Sequence, residues 1–241
     1  MAERAVGPAP RGVFESAAVV VADKPAGVLT VPSRIGDADV RACFGRDLEA
    51  ALGVRLWPVH RLDFEVSGLV LFAKTDAAHR IANAAFESRQ VEKRYQALSE
   101  GAAFARQLPA NFAWESLIVR GKRRSFEAPH GKAARTLATA REIVESHMGP
   151  LLLWDLAPET GRPHQLRVHL ARAGFPVAGD RLYGARLDLG LPDTIALRSV
   201  ALTFTDLETR AALGLPATIE VDGIRAALGA EAGPRRATLP P

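Results

Sequence analysis

The chain has 241 residues, 48% of them hydrophobic and 24% charged, with a formal net charge of +4 and a pI near 9.6. This is the composition of a globular protein long enough to bury a real core, and its small basic excess permits a polyanionic partner without requiring one. The single cysteine, Cys43, excludes a disulfide framework and a cysteine-rich metal site, and it reads as a small packed residue rather than a nucleophile. A reducing compartment follows. No signal-peptide core and no membrane-length apolar run is present, so a cytoplasmic protein is expected.

Residues 1–12, rich in Ala, Pro and Gly, read as a loose arm, and 13–241 as a single catalytic domain. Val19, Val20 and Val21 predict a strand stopped at the Lys24-Pro25 turn. A helix is expected within 40–52. The run Leu69-Val70-Leu71-Phe72-Ala73 reads as a buried strand. Asp76 is expected to cap a helix through Phe86 with Ala78, Ile81, Ala82 and Ala85 on one face. Strands are expected at 95–98, 137–144, 151–156 and 195–204, and Pro163 suits the first turn of a helix ending at Ala171. Residues 101–135 read as the least regular part, centred on Arg120-Gly121-Lys122-Arg123-Arg124, which is either a solvated turn or a phosphate-contacting loop. The tail from Glu208 shows no motif. Many strands with few helices between them imply an α+β fold with a mixed, largely antiparallel sheet rather than regular βαβ winding.

The most informative stretch is 59–75, in which Val59-His60-Arg61-Leu62-Asp63-Phe64-Glu65-Val66-Ser67-Gly68 feeds directly into that buried strand. A compact charged loop joined to a core strand is a rigid mount for reactive side chains. Asp63 has a guanidinium close by in sequence, which favours the ionised carboxylate that a nucleophile or an ion-pair partner needs. A plain loop ion pair is the alternative.

His-Arg-Leu-Asp, then two residues, then a β-branched residue and Ser-Gly resembles the signature of the RluA family of RNA pseudouridine synthases. Further blocks lie in the family's order. Val19 through Gly27 is similar to its opening strand and Lys-Pro turn. Glu92-Lys93-Arg94-Tyr95-Gln96-Ala97-Leu98 is similar to its Lys-x-Tyr strand, and Thr160-Gly161-Arg162-Pro163-His164-Gln165-Leu166-Arg167-Val168-His169-Leu170 to its Arg-bearing segment. Gly179-Asp180-Arg181-Leu182-Tyr183-Gly184 and Ile195-Ala196-Leu197-Arg198-Ser199 complete the series. Co-linear blocks over about residues 17–206 are far more specific than one short motif.

The resemblance implies an enzyme that isomerises a uridine in a ribosomal or transfer RNA stem-loop to pseudouridine, acting as a monomer without cofactor, metal or membrane. It makes Asp63 the essential carboxylate, attacking C1′ or C6 or abstracting a ribose proton; the residues leave these open. Arg167 would keep Asp63 ionised and oriented, although a surface helix arginine is the bland alternative. Tyr95 would stack on the extruded uracil, unless it is only a core aromatic. Arg61 would fill the vacated stack. Leu197 would form an apolar wall, and Lys93 and His60 would support the site. The arm is shorter than the S4-type RNA-binding domain many members carry in front, which leaves target recognition to the catalytic domain. Val66 and Pro163 depart from the threonine and the Thr or Ser usual at their positions.

Rival readings carry less. His60, Asp63, His164 and His169 could suggest a metal-dependent hydrolase, but His164 and His169 are five apart and point about 140° apart on a helix. A glycosidase needs a second carboxylate, and Glu65 has no supporting pattern. A catalytically inactive RNA-binding protein of the same fold is the stronger rival, against which stand the intact Asp63, Tyr95 and Arg167.

Overall fold

The computed structural model describes residues 9–103, 110–228 and 237–238. Its elements in chain order are β1 (Arg11–Glu15), β2 (Val19–Lys24), α1 (Phe44–Leu52), β3 (Trp57–Pro58), β4 (Ser67–Ala73), α2 (Asp76–Glu87), β5 (Val91–Ser99), β6 (Asn111–Arg120), β7 (Ser125–Glu127), β8 (Lys132–Val144) and β9 (Leu151–Pro158). There follow α3 (Gln165–Arg172), β10 (Leu197–Phe204), α4 (Leu207–Leu213), β11 (Thr218–Glu220), α5 (Ile224–Ala227) and β12 (Ala237–Thr238). The pairings of β1 with β2, β2 with β4, β5 with β9, β9 with β8 and β8 with β6 are antiparallel. Leu29 and Cys43 add a parallel bridge. The fold is α+β with a largely antiparallel sheet.

Two compact units divide the chain, Met1–Glu92 with Ala201–Val221 and Lys93–Val200 with Asp222–Pro241. Each draws on separated stretches of chain, and the divisions fall inside β5 and β10, so no linker marks them in the sequence. The expectation of one catalytic domain over 13–241 stands beside this division. Residues 1–8 of the expected arm lie outside the described residues, and β1 takes up Arg11 and Gly12.

In the first unit, β2 and β4 are apolar on both faces because both faces are covered. Val19, Val21, Leu69 and Leu71 are each 0% exposed and pack with Ala78, Ala82 and Ala85 of α2 and Leu213 at the end of α4. Thr75, not Asp76, caps α2, its hydroxyl accepting from Ala78 N. Threonine can take the extended Ncap backbone, while Asp76 sits in the first turn and pairs with Arg80. Ile81 is exposed, so the buried face of α2 is narrower than its apolar pattern suggests.

In the second unit the stretch expected to be irregular is largely strand. β6 and β7 form a hairpin pairing Ile118 with Glu127, Val119 with Phe126 and Arg120 with Ser125, and β6 pairs with β8 from Asn111–Thr139 to Ile118–Lys132. Its side chains alternate between exposed and half-buried, the period of a strand with one wet face. The helix placed at Pro163 begins later. His164 is its Ncap, in a left-handed conformation at φ 55°, and α3 runs from Gln165 to Arg172. Residues 207–213, 218–220 and 224–227 of the tail are also ordered as α4, β11 and α5.

Candidate active site

The carboxylate loop sits in the first unit and is pinned on both sides of Asp63. Before it, Thr30 Oγ1 donates to Leu62 O at 2.9 Å and accepts from Leu62 N at 3.1 Å. After it, the carbonyl of Phe64 accepts from Gly27 N at 3.0 Å and from Lys24 Nζ at 3.4 Å. Val66 N closes a turn back onto Asp63 O at 3.2 Å. Asp63 itself is half-buried and Arg61 exposed. His60 anchors the loop to β4, with Nε2 accepting from Leu71 N at 3.1 Å and its ring stacked on Phe86 at 4.9 Å. An accepting Nε2 assigns the ring proton to Nδ1.

Lys24 was readable in the sequence only as part of a turn, and the structure gives it more weight. Its side chain is 0% exposed, and its ammonium also donates to Pro25 O at 2.8 Å and Val28 O at 3.0 Å. Burial lowers its pKa to about 7, against the opposing pull of Asp63, then Glu65 and Asp23. A buried cation beside Asp63 is thus built into the mount. The signal available was a lysine ending a strand that opens with three valines.

Lys93, Tyr95, Arg167 and Leu197 belong to the second unit. Lys93 and Tyr95 are half-buried on β5, where Tyr95 pairs with Leu156 of β9, and Lys93 Nζ donates to Thr160 O at 3.5 Å. Leu197 starts β10 and is buried. Arg167 is not a surface residue: it is 1% exposed, and its Nε and Nη2 donate to Asp180 Oδ2 and Oδ1 at 2.7 and 2.9 Å. Its guanidinium carbon also lies 5.1 Å from the centre of the Tyr183 ring.

Two residues that the sequence did not single out fasten α3 in place. Gln165 fills all four hydrogen-bonding positions of its amide. Oε1 accepts from Thr160 Oγ1 at 2.6 Å and Arg162 N at 3.1 Å, while Nε2 donates to Arg135 O and Thr136 Oγ1, both at 2.9 Å. Thr136 Oγ1 also hydrogen-bonds His169 Nδ1 at 2.9 Å, and Ser116 Oγ hydrogen-bonds His169 Nε2 at 2.9 Å. Burial pushes the His169 pKa down to about 4. His169 is thereby engaged at both nitrogens, and among the described residues no group of His, Cys, Asp and Glu could hold a metal ion.

The pinned carboxylate loop of the first unit and the buried, carboxylate-paired arginine of the second are each rigidly mounted on an α+β scaffold. The family model for RNA pseudouridylate synthase matches residues 18–172. The chain is 32% identical over 176 residues to the uncharacterized RNA pseudouridine synthase YhcT of Bacillus subtilis, covering 71% of this chain and 57% of that protein. It is 32% identical over 200 residues to the dual-specificity RNA pseudouridine synthase RluA of Escherichia coli, covering 80% and 85%. The solved structure of human RNA pseudouridylate synthase domain containing 1 has the same fold, with a TM-score of 0.68 at 23% identity over 94% of this chain and 97% of that one. The chain belongs to the RNA pseudouridine synthase family, whose members are isomerases, and within it is similar to RluA.

Proposed function

We propose that the protein converts a specific uridine in a ribosomal or transfer RNA stem-loop to pseudouridine, acting as a cytoplasmic monomer, with Asp63 as its essential carboxylate. The observation that carries this reading is the mount of Asp63, held by Thr30 on one side and by Gly27 and Lys24 on the other. A half-buried carboxylate fixed at its backbone can meet one atom of a bound nucleotide repeatedly in the same geometry. The reaction breaks the C1′–N1 bond, turns the uracil and rejoins it through C5, so the base must first leave its stack. Arg61, exposed beside Asp63, is suited to occupy the vacated space with its planar guanidinium. Tyr95 stacks on the extruded uracil, Leu197 walls the pocket, and Lys93 and His60 support the site. Arg167 is the cationic counterpart of the reacting carboxylate.

The test is Asp63→Asn, which keeps size and shape but removes the nucleophilic or basic oxygen. Loss of a covalent nucleophile costs on the order of 10⁶ in rate, so pseudouridine in unmodified ribosomal and transfer RNA transcripts should fall below detection while binding persists. Glu65→Gln, an acid two residues away, should retain activity. A wild-type protein that binds these RNAs without forming pseudouridine would instead establish the inactive RNA-binding reading.

A further inference from the structure

The β6–β7 hairpin carries an exposed cationic tip. Gly121 N donates to Arg124 O at 3.0 Å to close the turn, and a side chain at Gly121 would meet that same carbonyl at 2.7 Å, so the tight turn needs glycine. Arg120, Lys122, Arg123 and Arg124 are all exposed around it, and Phe126 is 44% exposed next to them. Cations grouped on a short rigid projection suit a phosphate backbone.

The hairpin is tied, just behind its tip, to the residues around Arg167. Ser125, the first residue of the return strand after the tip, is 1% exposed. Its backbone N donates to Tyr183 Oη at 2.9 Å, and Tyr183 Oη donates to Ser125 O at 3.0 Å. One phenol therefore grips both main-chain groups of one residue. With its only hydrogen used there, the phenol oxygen accepts from His164 Nδ1 at 3.0 Å, at the start of α3. The Tyr183 ring lies against Arg167 and packs on the cluster of Ile118 from β6, Ala134 from β8 and Val168 from α3. Tyr183 N in turn donates to Asp180 O at 3.0 Å, and Asp180 holds Arg167. Glu127 of β7 pairs with Arg172 of α3.

We propose that the basic tip of the β6–β7 hairpin docks on the phosphate backbone of the substrate RNA, and that Tyr183 is a positioning residue coupling this docking to the orientation of Arg167. The inference rests on the RNA-modifying reading above. RNA held at the tip fixes Ser125, Ser125 fixes the phenol, and the ring of the same tyrosine sets the guanidinium. The hairpin then contributes to turnover as well as to affinity.

A double-mutant cycle on unmodified ribosomal and transfer RNA transcripts tests this. Arg123→Gln with Arg124→Gln removes two tip cations, and Tyr183→Phe keeps the ring but releases Ser125. The tip variant should bind about tenfold more weakly at low salt, with the log–log salt slope reduced by about two, and its kcat should fall severalfold as well. Tyr183→Phe should lower kcat similarly and speed hydrogen exchange at the Ser125 amide, and the triple variant should be no worse than the poorer parent, because coupled sites are not additive. Strict additivity, or a tip variant with raised KM and unchanged kcat, overturns the proposal. Should Tyr183→Phe not fold, the kcat of the tip variant decides alone, since its substitutions are on the surface. Wild-type protein that forms no pseudouridine in these RNAs would defeat the functional reading itself, a result distinct from either.

Discussion

The Arg167 guanidinium and the Asp180 carboxylate, each 1% exposed, face each other through two hydrogen bonds of 2.7 and 2.9 Å across thirteen residues of chain. The pair occupies the Nε–Nη2 edge of the guanidinium and so fixes its plane and the direction of its opposite edge. Removing one member takes two charge-assisted hydrogen bonds from the other in a dry site.

Asp180→Asn is therefore expected to destabilise the protein by about 3–5 kcal/mol, the usual cost of breaking a buried pair from one side. Replacing both members, Arg167→Met with Asp180→Leu, should recover much of that stability. Chemical denaturation of the three proteins measures this; a single variant as stable as the parent would show that the pair does not organise α3.

Lys24 predicts a gain of stability with rising pH on the alkaline side of neutrality. With its pKa at about 7 in the fold and near 10.4 unfolded, the unfolded chain binds the extra proton between those values. Stability then rises with pH across the window from about 7 to 10 and is level below it, the slope amounting to at most about 3 kcal/mol between pH 7 and 9.5. Lys24→Met should flatten this rise. The readout is the denaturant midpoint at both pH values, and an equal rise in the variant would assign the slope to other groups.

How much of this was legible in the sequence depends on whether the physical cause was local. β2 and β4 could be read because strands covered on both faces are continuously apolar, and the loop bearing Asp63 because its charges adjoin such a strand. The β6–β7 hairpin was missed although Phe112 and Trp114 alternate with exposed neighbours, because the tip cations and glycine read as loop. Gly131 marks the same error from another side: a side chain there would meet the backbone of Leu117 and Ile118 at 2.5–2.6 Å, so its glycine reports a close strand approach rather than a flexible turn. The role of Asp180 could not be read at all, since nothing local distinguishes the carboxylate that tertiary packing will set against Arg167. His164 likewise takes the Ncap of α3 in a left-handed conformation, which displaced the expected helix start at Pro163.

His169 adds an acid-side slope. Its pKa of about 4 in the fold lies below the 6.5 of an unperturbed imidazole, so the unfolded state gains the proton first as pH falls. The stability this group contributes is complete above about pH 6.5 and is lost as pH drops toward 4. His169→Gln, which retains hydrogen-bonding capacity toward Ser116 and Thr136, should lower stability at neutral pH but lose less of it on acidification. Thermal midpoints at pH 7 and pH 5 check this; parallel losses in both proteins would mean that His169 does not carry the slope.

Arg61 separates extrusion of the base from the chemistry that follows. Taking a stacked uridine out of a helix or ordered loop costs a few kcal/mol, whereas a base in an unstructured strand is already accessible. A side chain that fills the vacated space offsets part of that cost and has nothing to offset in the second case. Arg61 is exposed beside the pinned Asp63, so its removal should leave the loop intact. Arg61→Ala is accordingly expected to slow pseudouridine formation in a structured stem-loop by at least tenfold, corresponding to about 1.4 kcal/mol, and to change the rate on an unfolded oligonucleotide with the same uridine by less than about threefold. Single-turnover rates on the two substrates make the comparison free of product release. Equal losses on both would place Arg61 in the chemical step or in folding, and not in the stack left by the departing base.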